Sequence, residues 1–361
     1  MEAANLGLVV TDDCNFNCSY CFQEKEKKYM SRSTIEKAIA FFYPRLKEEA
    51  QIIFWGGEPL LAFEQIKYAV SLLQEKNKTG KKKLTFYLTT NGSLLSDEIL
   101  DFFNRHRFDM MLSFDGLTQD TARKPGSSKL MQERIKQVQK YPGIVFSVNS
   151  VFTPETAGCF SESLQFIIRL GVPEILVSLS SIHSWAQKEL DILTEEYDRL
   201  GEFLVSYYKE TGKIPVNDFK IPEGPPKKNF VCLAGRNRIA ITPQEDVWGC
   251  YLFHDYLKQK KESDDYRRYH FGKLDDFIEN HERLYPGIIA NYCDLSQQMF
   301  FTEKEHCFLC PEVEHCSTCP VNAAFSTSFI GKIPAWLCDL NRIQGEAKKR
   351  FLKKINQAPN L

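Results

Sequence analysis

Apolar residues over the first 215 positions follow two alternating rhythms. Short, nearly continuous apolar runs, such as LGLVVT at 6–11 and QIIFWGG at 51–57, predict buried strands. Between them, stretches such as FEQIKYAVSLLQEK at 63–76 place apolar residues three and four apart and predict helices. The segment 31–46 reads as a helix in which Ser33 and Glu36 are spaced as a capping box. The same pairing recurs with strands at 84–92, 109–116, 144–152 and 174–181, and helices at 96–106, 129–139, 161–171 and 195–212. Six strand–helix units result.

Nearly continuous apolar strands joined by helices imply a parallel sheet covered by helical crossovers, an α/β fold. Six units are too few for a closed eight-unit barrel, so a partial barrel and a doubly wound sheet both fit. In either, chemistry gathers at the carboxyl ends of the strands. There the chain places its unusual residues: Cys14, Cys18 and Cys21 after the first strand, Gly56-Gly57-Glu58-Pro59 after the second, Thr89-Thr90-Asn91-Gly92 after the third and Ser113-Phe114-Asp115-Gly116 after the fourth. A Pro/Gly/Lys stretch at 221–230 reads as a linker. It divides the chain into a core at 1–220, a cysteine-rich segment at 221–345 and a tail at 346–361.

Composition narrows the chemistry. A formal charge of −1 with 26% charged residues offers no basic face for nucleic acid or an acidic membrane. Lys81, Lys82 and Lys83 read as a solvated turn. Without an export signal or eighteen consecutive apolar residues, a cytoplasmic location is expected, and the twelve cysteines are expected to be free thiols or ligands rather than disulfides. Ten have motif-like spacing: the C-x3-C-x2-C triplet, then Cys232, Cys250, Cys307, Cys310, Cys316, Cys319 and Cys338. Cys159 and Cys293 stand apart. Three thiolates are one short of the usual four around a metal or cluster, whereas structural zinc more often uses paired C-x2-C knuckles.

The triplet after the first strand, with Tyr20 before its last cysteine, resembles that of the radical S-adenosylmethionine (radical SAM) enzymes. The resemblance implies a partial (β/α)6 TIM-like barrel in which Cys14, Cys18 and Cys21 hold a [4Fe–4S] cluster and S-adenosylmethionine fills the fourth position. Electron transfer into that sulfonium gives a 5′-deoxyadenosyl radical that abstracts hydrogen. The same resemblance assigns Gly56, Gly57 and Glu58 to the methionine amino group, Ser113 and Asp115 to the ribose, Arg123 to the methionine carboxylate, and Asn91 to the adenosyl group. Ser113 and Asp115, two apart on a strand, are expected to share a face.

The later cysteines resemble a SPASM domain, which implies two auxiliary [4Fe–4S] clusters and three clusters in all. Cys232, Cys250 and Cys319 would hold one, with Cys293, His254 or a substrate group as the fourth ligand. Cys307, Cys310, Cys316 and Cys338 would hold the other. The pattern departs from the usual SPASM run in having two residues before Cys319 and Glu245 in place of a glycine. Enzymes of this kind mostly modify peptides or proteins, through crosslinks, thioethers or side-chain oxidation, and draw electrons from a flavodoxin or ferredoxin. Tyr251 stands where sulfatase-maturating relatives have an aspartate, which argues against formylglycine formation. The first strand starts near Leu6, so no leader-binding domain is expected ahead of it, and a separate leader-peptide-binding protein is the alternative. Tyr251, His254 and Asp255 are candidate general bases. Radical chemistry on a small molecule and a non-catalytic zinc scaffold are the competing readings.

Overall fold

A computed structural model of the chain describes residues 1–221, 232–295, 300–302, 304, 307–313, 316 and 318–356. Six parallel strands alternate with helices in the order β1 (Ala3–Thr11), α1 (Arg32–Phe42), β2 (Leu46–Gly56), α2 (Phe63–Gly80), β3 (Lys83–Thr90), α3 (Asp97–Arg105), β4 (Asp109–Ser113), α4 (Gln119–Ala122), α5 (Ser127–Val138), β5 (Val145–Phe152), α6 (Phe160–Arg169), β6 (Ile175–Leu179) and α7 (Gln187–Thr211). Their order in the sheet is strictly sequential, β1 to β6, and every neighbouring pair is parallel. A doubly wound sheet reverses direction once; this one never does. Right-handed crossovers that all advance the same way put every helix on one face, and the sheet curls into a partial barrel.

Strand alternation separates two interiors. On β2, Ala50, Ile52 and Phe54 are buried toward the helices, while Gln51, Ile53 and Trp55 line the cavity on the other side. Phe86 and Leu88 on β3 and Met110 and Leu112 on β4 repeat the first role; Tyr87, Thr89, Met111 and Ser113 repeat the second. Phe54, Phe86 and Phe108 stack at centroid distances of 5.3–6.4 Å within the helix-facing core.

Helix α1 starts two residues earlier than the Ser33–Glu36 spacing implied. Ser31 caps it, its hydroxyl accepting from the Thr34 N–H at 3.0 Å, because Ser31 is the last residue still extended. The lysine run is also ordered: Lys81 takes a left-handed cap, Lys82 donates to the Leu46 carbonyl, and Lys83 begins β3, paired with Glu49.

Beyond the linker region, most of which (222–230) lies outside the described residues, the sheet continues. β7 (Arg238–Ile241) pairs in parallel with β1, and β8 (Asp246–Trp248) and β9 (His270–Lys273) follow antiparallel, giving nine strands. Helices α8 (Tyr251–Leu257), α9 (Asp264–Tyr269), α10 (Leu274–Cys293), α11 (Pro320–Thr327) and α12 (Ala335–Asn356) surround them, with a two-strand pair β10 (Phe301–Thr302) and β11 (Lys332–Ile333). Residues 346–356, read from sequence as a tail, are the closing turns of α12. They dock on α7, where Arg350 pairs with Asp198 at 2.8 Å and Lys354 with Glu202, and on the turn that follows it, where Phe351 meets Phe219 edge-on. No described helix is long and apolar enough to cross a membrane.

Candidate active site

The carboxyl ends of the strands open into a cavity of about 570 Å3. Cys14, Cys18 and Cys21 form part of its wall, opposite strand residues Met111, Asn149 and Ser178. The cysteine loop is clamped to the end of β2 by backbone alone: the Gly57 N–H donates to the Thr11 carbonyl and the Glu58 N–H to the Asp13 carbonyl, at 3.2 and 2.8 Å. A Cβ on Gly57 would stand 2.4 Å from the Asp13 oxygen and 2.9 Å from the Cys14 Cβ, so the site needs glycine there for close approach. From the third strand end, the Asn91 amide donates to Asn15 at 2.9 Å and holds the loop from the other side.

Glu58 lies beneath this junction rather than in the cavity wall. Its carboxylate accepts from the Leu60 N–H, the Thr90 hydroxyl and the Asn91 N–H at 3.0, 2.6 and 2.7 Å, which locks the ends of β2 and β3 together. Burial pushes its pKa up to about 7 against the pull of these three donors. Because the native state disfavours the ionised form, Glu58 costs no stability below pH 4.5 and an increasing amount as pH rises to about 7, about 3 kcal/mol in all. Glu58→Gln is therefore expected to flatten the pH dependence of denaturant-unfolding stability across that window; an unchanged slope would show that Glu58 does not set it.

Asp115 also departs from the sequence expectation. Alternation would place it beside Ser113 on the cavity face, but β4 ends at Ser113 and Asp115 has left extended geometry (φ −98°, ψ 18°). Ser113 lines the cavity; Asp115 turns behind the wall and is fully buried. There it accepts two bonds from Arg123, at 2.8 and 2.9 Å, one from the Tyr20 hydroxyl at 2.5 Å and one from the Val151 N–H at 2.8 Å. Arg123 stays in the cavity wall with its Nε and Nη2 committed to Asp115, and no described acceptor engages Nη1. Tyr20, at 5.3 Å from the guanidinium, completes the triangle.

Helix α8 of the extension packs on the cysteine loop. Asp12, two residues before Cys14, accepts from Gln244 at 2.6 Å and faces His254 at 3.4 Å. Burial alone would raise the Asp12 pKa, but His254 and Gln244 hold it below the usual carboxylate range. Asp255 accepts from Gln23 at 3.0 Å, and Lys258 donates to the Glu24 carbonyl at 2.6 Å. His254 and Asp255 thus join the two halves of the chain without lining the main cavity, whereas Tyr251 lines it and stacks on Trp55 at 3.8 Å.

The remaining cysteines separate into two groups. Cys250 and Cys319 immediately precede α8 and α11, which pack on each other, and the Gly235 N–H donates to the Gly249 carbonyl at 3.1 Å, bringing the Cys232 turn beside Cys250; Tyr251 and Asn322 of these two helices line the cavity. Cys307, Cys310, Cys316 and Cys338 line a second, apolar cavity of about 40 Å3. Cys293 is exposed at the end of α10, and Cys159 lies before α6. Burial pushes the thiols of Cys14 and Cys338 up to about 11 and that of Cys319 to about 12, so a metal must displace their protons. Among the described residues no three His, Cys, Asp or Glu side chains converge on a single ion. A [4Fe–4S] cluster takes its thiolates on separate irons, a broader arrangement than zinc requires.

Residues 8–167 match the model of the radical SAM superfamily. That span of the chain is a radical SAM domain. Among curated proteins, the radical SAM cyclopropyl synthase TigE of Paramaledivibacter caminithermalis is 23% identical over 273 residues, 67% of this chain, which spans 56% of TigE. A GTP 3′,8-cyclase of Aliarcobacter butzleri is 24% identical over 276 residues, 71% of this chain and 82% of the cyclase. Among solved structures, anSMEcpe with bound AdoMet superposes with a TM-score of 0.75 at 17% identity, covering 99% of this chain and 96% of that one. SuiB of Streptococcus suis bound to its precursor peptide SuiA gives 0.59 at 15% identity, covering 93% and 76%. These likenesses extend the shared fold beyond the radical SAM domain into the cysteine-rich segment.

Sequence reasoning did not reach the cavity-facing residues of the radical SAM barrel: Gln51, Tyr87, Asn149 and Ser178, the last two joined at 2.9 Å, and Arg238. Their signal was polar side chains at alternate positions of apolar strands, visible once the register is known.

Proposed function

We propose that this radical SAM enzyme is a SPASM-type maturase that oxidatively modifies a residue of a ribosomally made peptide or a protein. The observation behind this reading is the placement of the seven later cysteines. Four line one apolar cavity and three flank the main cavity, as two auxiliary [4Fe–4S] sites would require. Cys14, Cys18 and Cys21 would hold the third cluster, and Gly56, Gly57, Ser113 and the Nη1 side of Arg123 would face S-adenosylmethionine. When bound, these groups would supply a 5′-deoxyadenosyl radical. Glu58 and Asp115 would hold the wall in place from behind, with Asn91 and Tyr20 in the wall itself. Two further supports are the peptide-bound forms of the fold, anSMEcpe with the Cp18Cys peptide and SuiB with SuiA. Reducing equivalents would come from a flavodoxin or ferredoxin, and a leader peptide, where one exists, would be read by the chain itself or by a separate protein.

Anaerobic reconstitution tests the reading. About twelve irons per chain are expected, with 5′-deoxyadenosine formed under reduction and two hydrogens lost from a peptide encoded beside the gene. The cyclase relatives favour a second reading, action on a small molecule. Twelve irons with unaltered peptide and a consumed nucleotide would support it; zinc in place of iron would overturn both.

A further inference from the structure

Loss of two hydrogens from a residue requires a base as well as a radical. Among the described residues that line the main cavity, none is a histidine or a carboxylate. Tyr251 is a phenol, protonated at neutral pH, and its ring is stacked on Trp55. Lys25 donates to the Phe16 carbonyl and to Asn17. Asp115 and Glu58, one bond behind the wall, are engaged by the donors described above and buried away from solvent. Asp255 is reached through the Gln23 amide, which does not relay protons.

The loop after β6 offers another route. Ser180 lines the cavity two residues beyond Ser178, and its Oγ lies 2.7 Å from His183 Nδ1. The turn holds it there: the Ser180 N–H donates to the Phe152 carbonyl at 2.8 Å, and the buried Trp185 Nε1–H donates to the Ser180 carbonyl at 3.0 Å. His183 is half-buried, which gives a proton a way out to solvent. Glu155, in the turn after β5, is held below the usual carboxylate range, first by the Thr153 hydroxyl and last by His183. It is the carboxylate set against the imidazole, and it favours the charged ring.

We propose that Ser180 and His183 form a hydroxyl–imidazole dyad that takes the proton leaving the substrate, Ser180 meeting the substrate and His183 acting through it. The proposal rests on the oxidative reading above. Of the two hydrogens lost, one leaves as an atom and ends in 5′-deoxyadenosine. The other leaves as an electron, accepted by an auxiliary cluster, and a proton, which Ser180 Oγ accepts as its own proton passes to His183 Nδ1. The imidazolium then releases a proton to solvent. Histidine suits the task because its ordinary pKa lies near neutrality.

The first test is nitrogen NMR of the isotope-labelled, reconstituted protein. The imidazole signal that His183→Gln removes is expected to show a neutral ring protonated at Nε2, the tautomer that a donating Ser180 hydroxyl imposes. A neutral ring protonated at Nδ1 would overturn the proposal. The second test uses the peptide encoded beside the gene. Ser180→Ala and His183→Gln should each lower the ratio of modified peptide to 5′-deoxyadenosine by about a hundredfold, and Ser180→Thr, which keeps the hydroxyl, should restore it. The wild-type ratio should fall below about pH 6.5, as solvent protonates the imidazole, and His183→Gln should abolish that dependence. Where the alanine variant fails to fold, the other two decide. An unchanged ratio in the folded variants, or a pH profile that survives in His183→Gln, would overturn the dyad. A wild-type enzyme that forms 5′-deoxyadenosine and leaves the peptide intact would refute the oxidative reading instead, and the tautomer would still test the dyad.

Discussion

Replacing Cys14, Cys18 and Cys21 together with alanine should leave a folded protein that binds about eight irons rather than about twelve and forms no 5′-deoxyadenosine above background. The fold is expected to survive because the loop is held by groups other than the thiols. The Thr11 and Asp13 carbonyls bind the second strand end, Asn15 binds Asn91, and the Ser19 N–H donates to the Ala122 carbonyl at 2.8 Å. The remaining irons should stay because the later cysteines occupy separate parts of the structure. Iron analysis and product chromatography on the same sample check both halves. Retained cleavage would remove these cysteines from the chemistry.

A second large effect is expected behind the cavity wall. The side chains of Arg123 and Asp115 are 6% and 0% exposed, and their two-point pairing sets the two buried charges against each other. Arg123→Met should cost about 3–5 kcal/mol in denaturant unfolding, because the buried carboxylate loses its countercharge. Adding Asp115→Asn should recover part of that loss: the amide oxygen can still accept from the Val151 N–H, and no isolated charge remains. A double-mutant cycle gives the coupling directly, and a coupling near zero would show that the pair is not what holds the wall. Arg123→Lys should fall between, since an ammonium keeps the charge but not the fork.

The barrel was legible in the sequence because each buried strand is an apolar run and each crossover keeps a helical period. Doubly wound and curled sheets share that pattern, and only the strand order β1 to β6 separates them. The short strands β7, β8 and β9 were not legible, since three or four residues set no rhythm. At the site, the strand-end motifs carrying the cysteine loop, Gly56, Gly57 and Ser113 line the cavity. It did not foresee that Asp115 would turn away at the end of β4. Nor did it foresee that Arg123, eight residues on, would spend two of its donors on that carboxylate. A repeat carries strand parity only as far as the strand lasts, and ion partners across a turn are chosen by tertiary packing.

The attachment of β7 to β1 means the extension is more than a cap added to a finished barrel. Asn5, Leu6, Gly7 and Leu8 pair through their backbones with Arg238, Ile239, Ala240 and Ile241. A chain cut at the linker would leave that side of β1 as a bare, apolar edge, open to pairing with any other exposed strand. The cysteine-rich half therefore also acts as a solubilising flank for the catalytic half, and the two are expected to be acquired, and lost, as one cooperative unit.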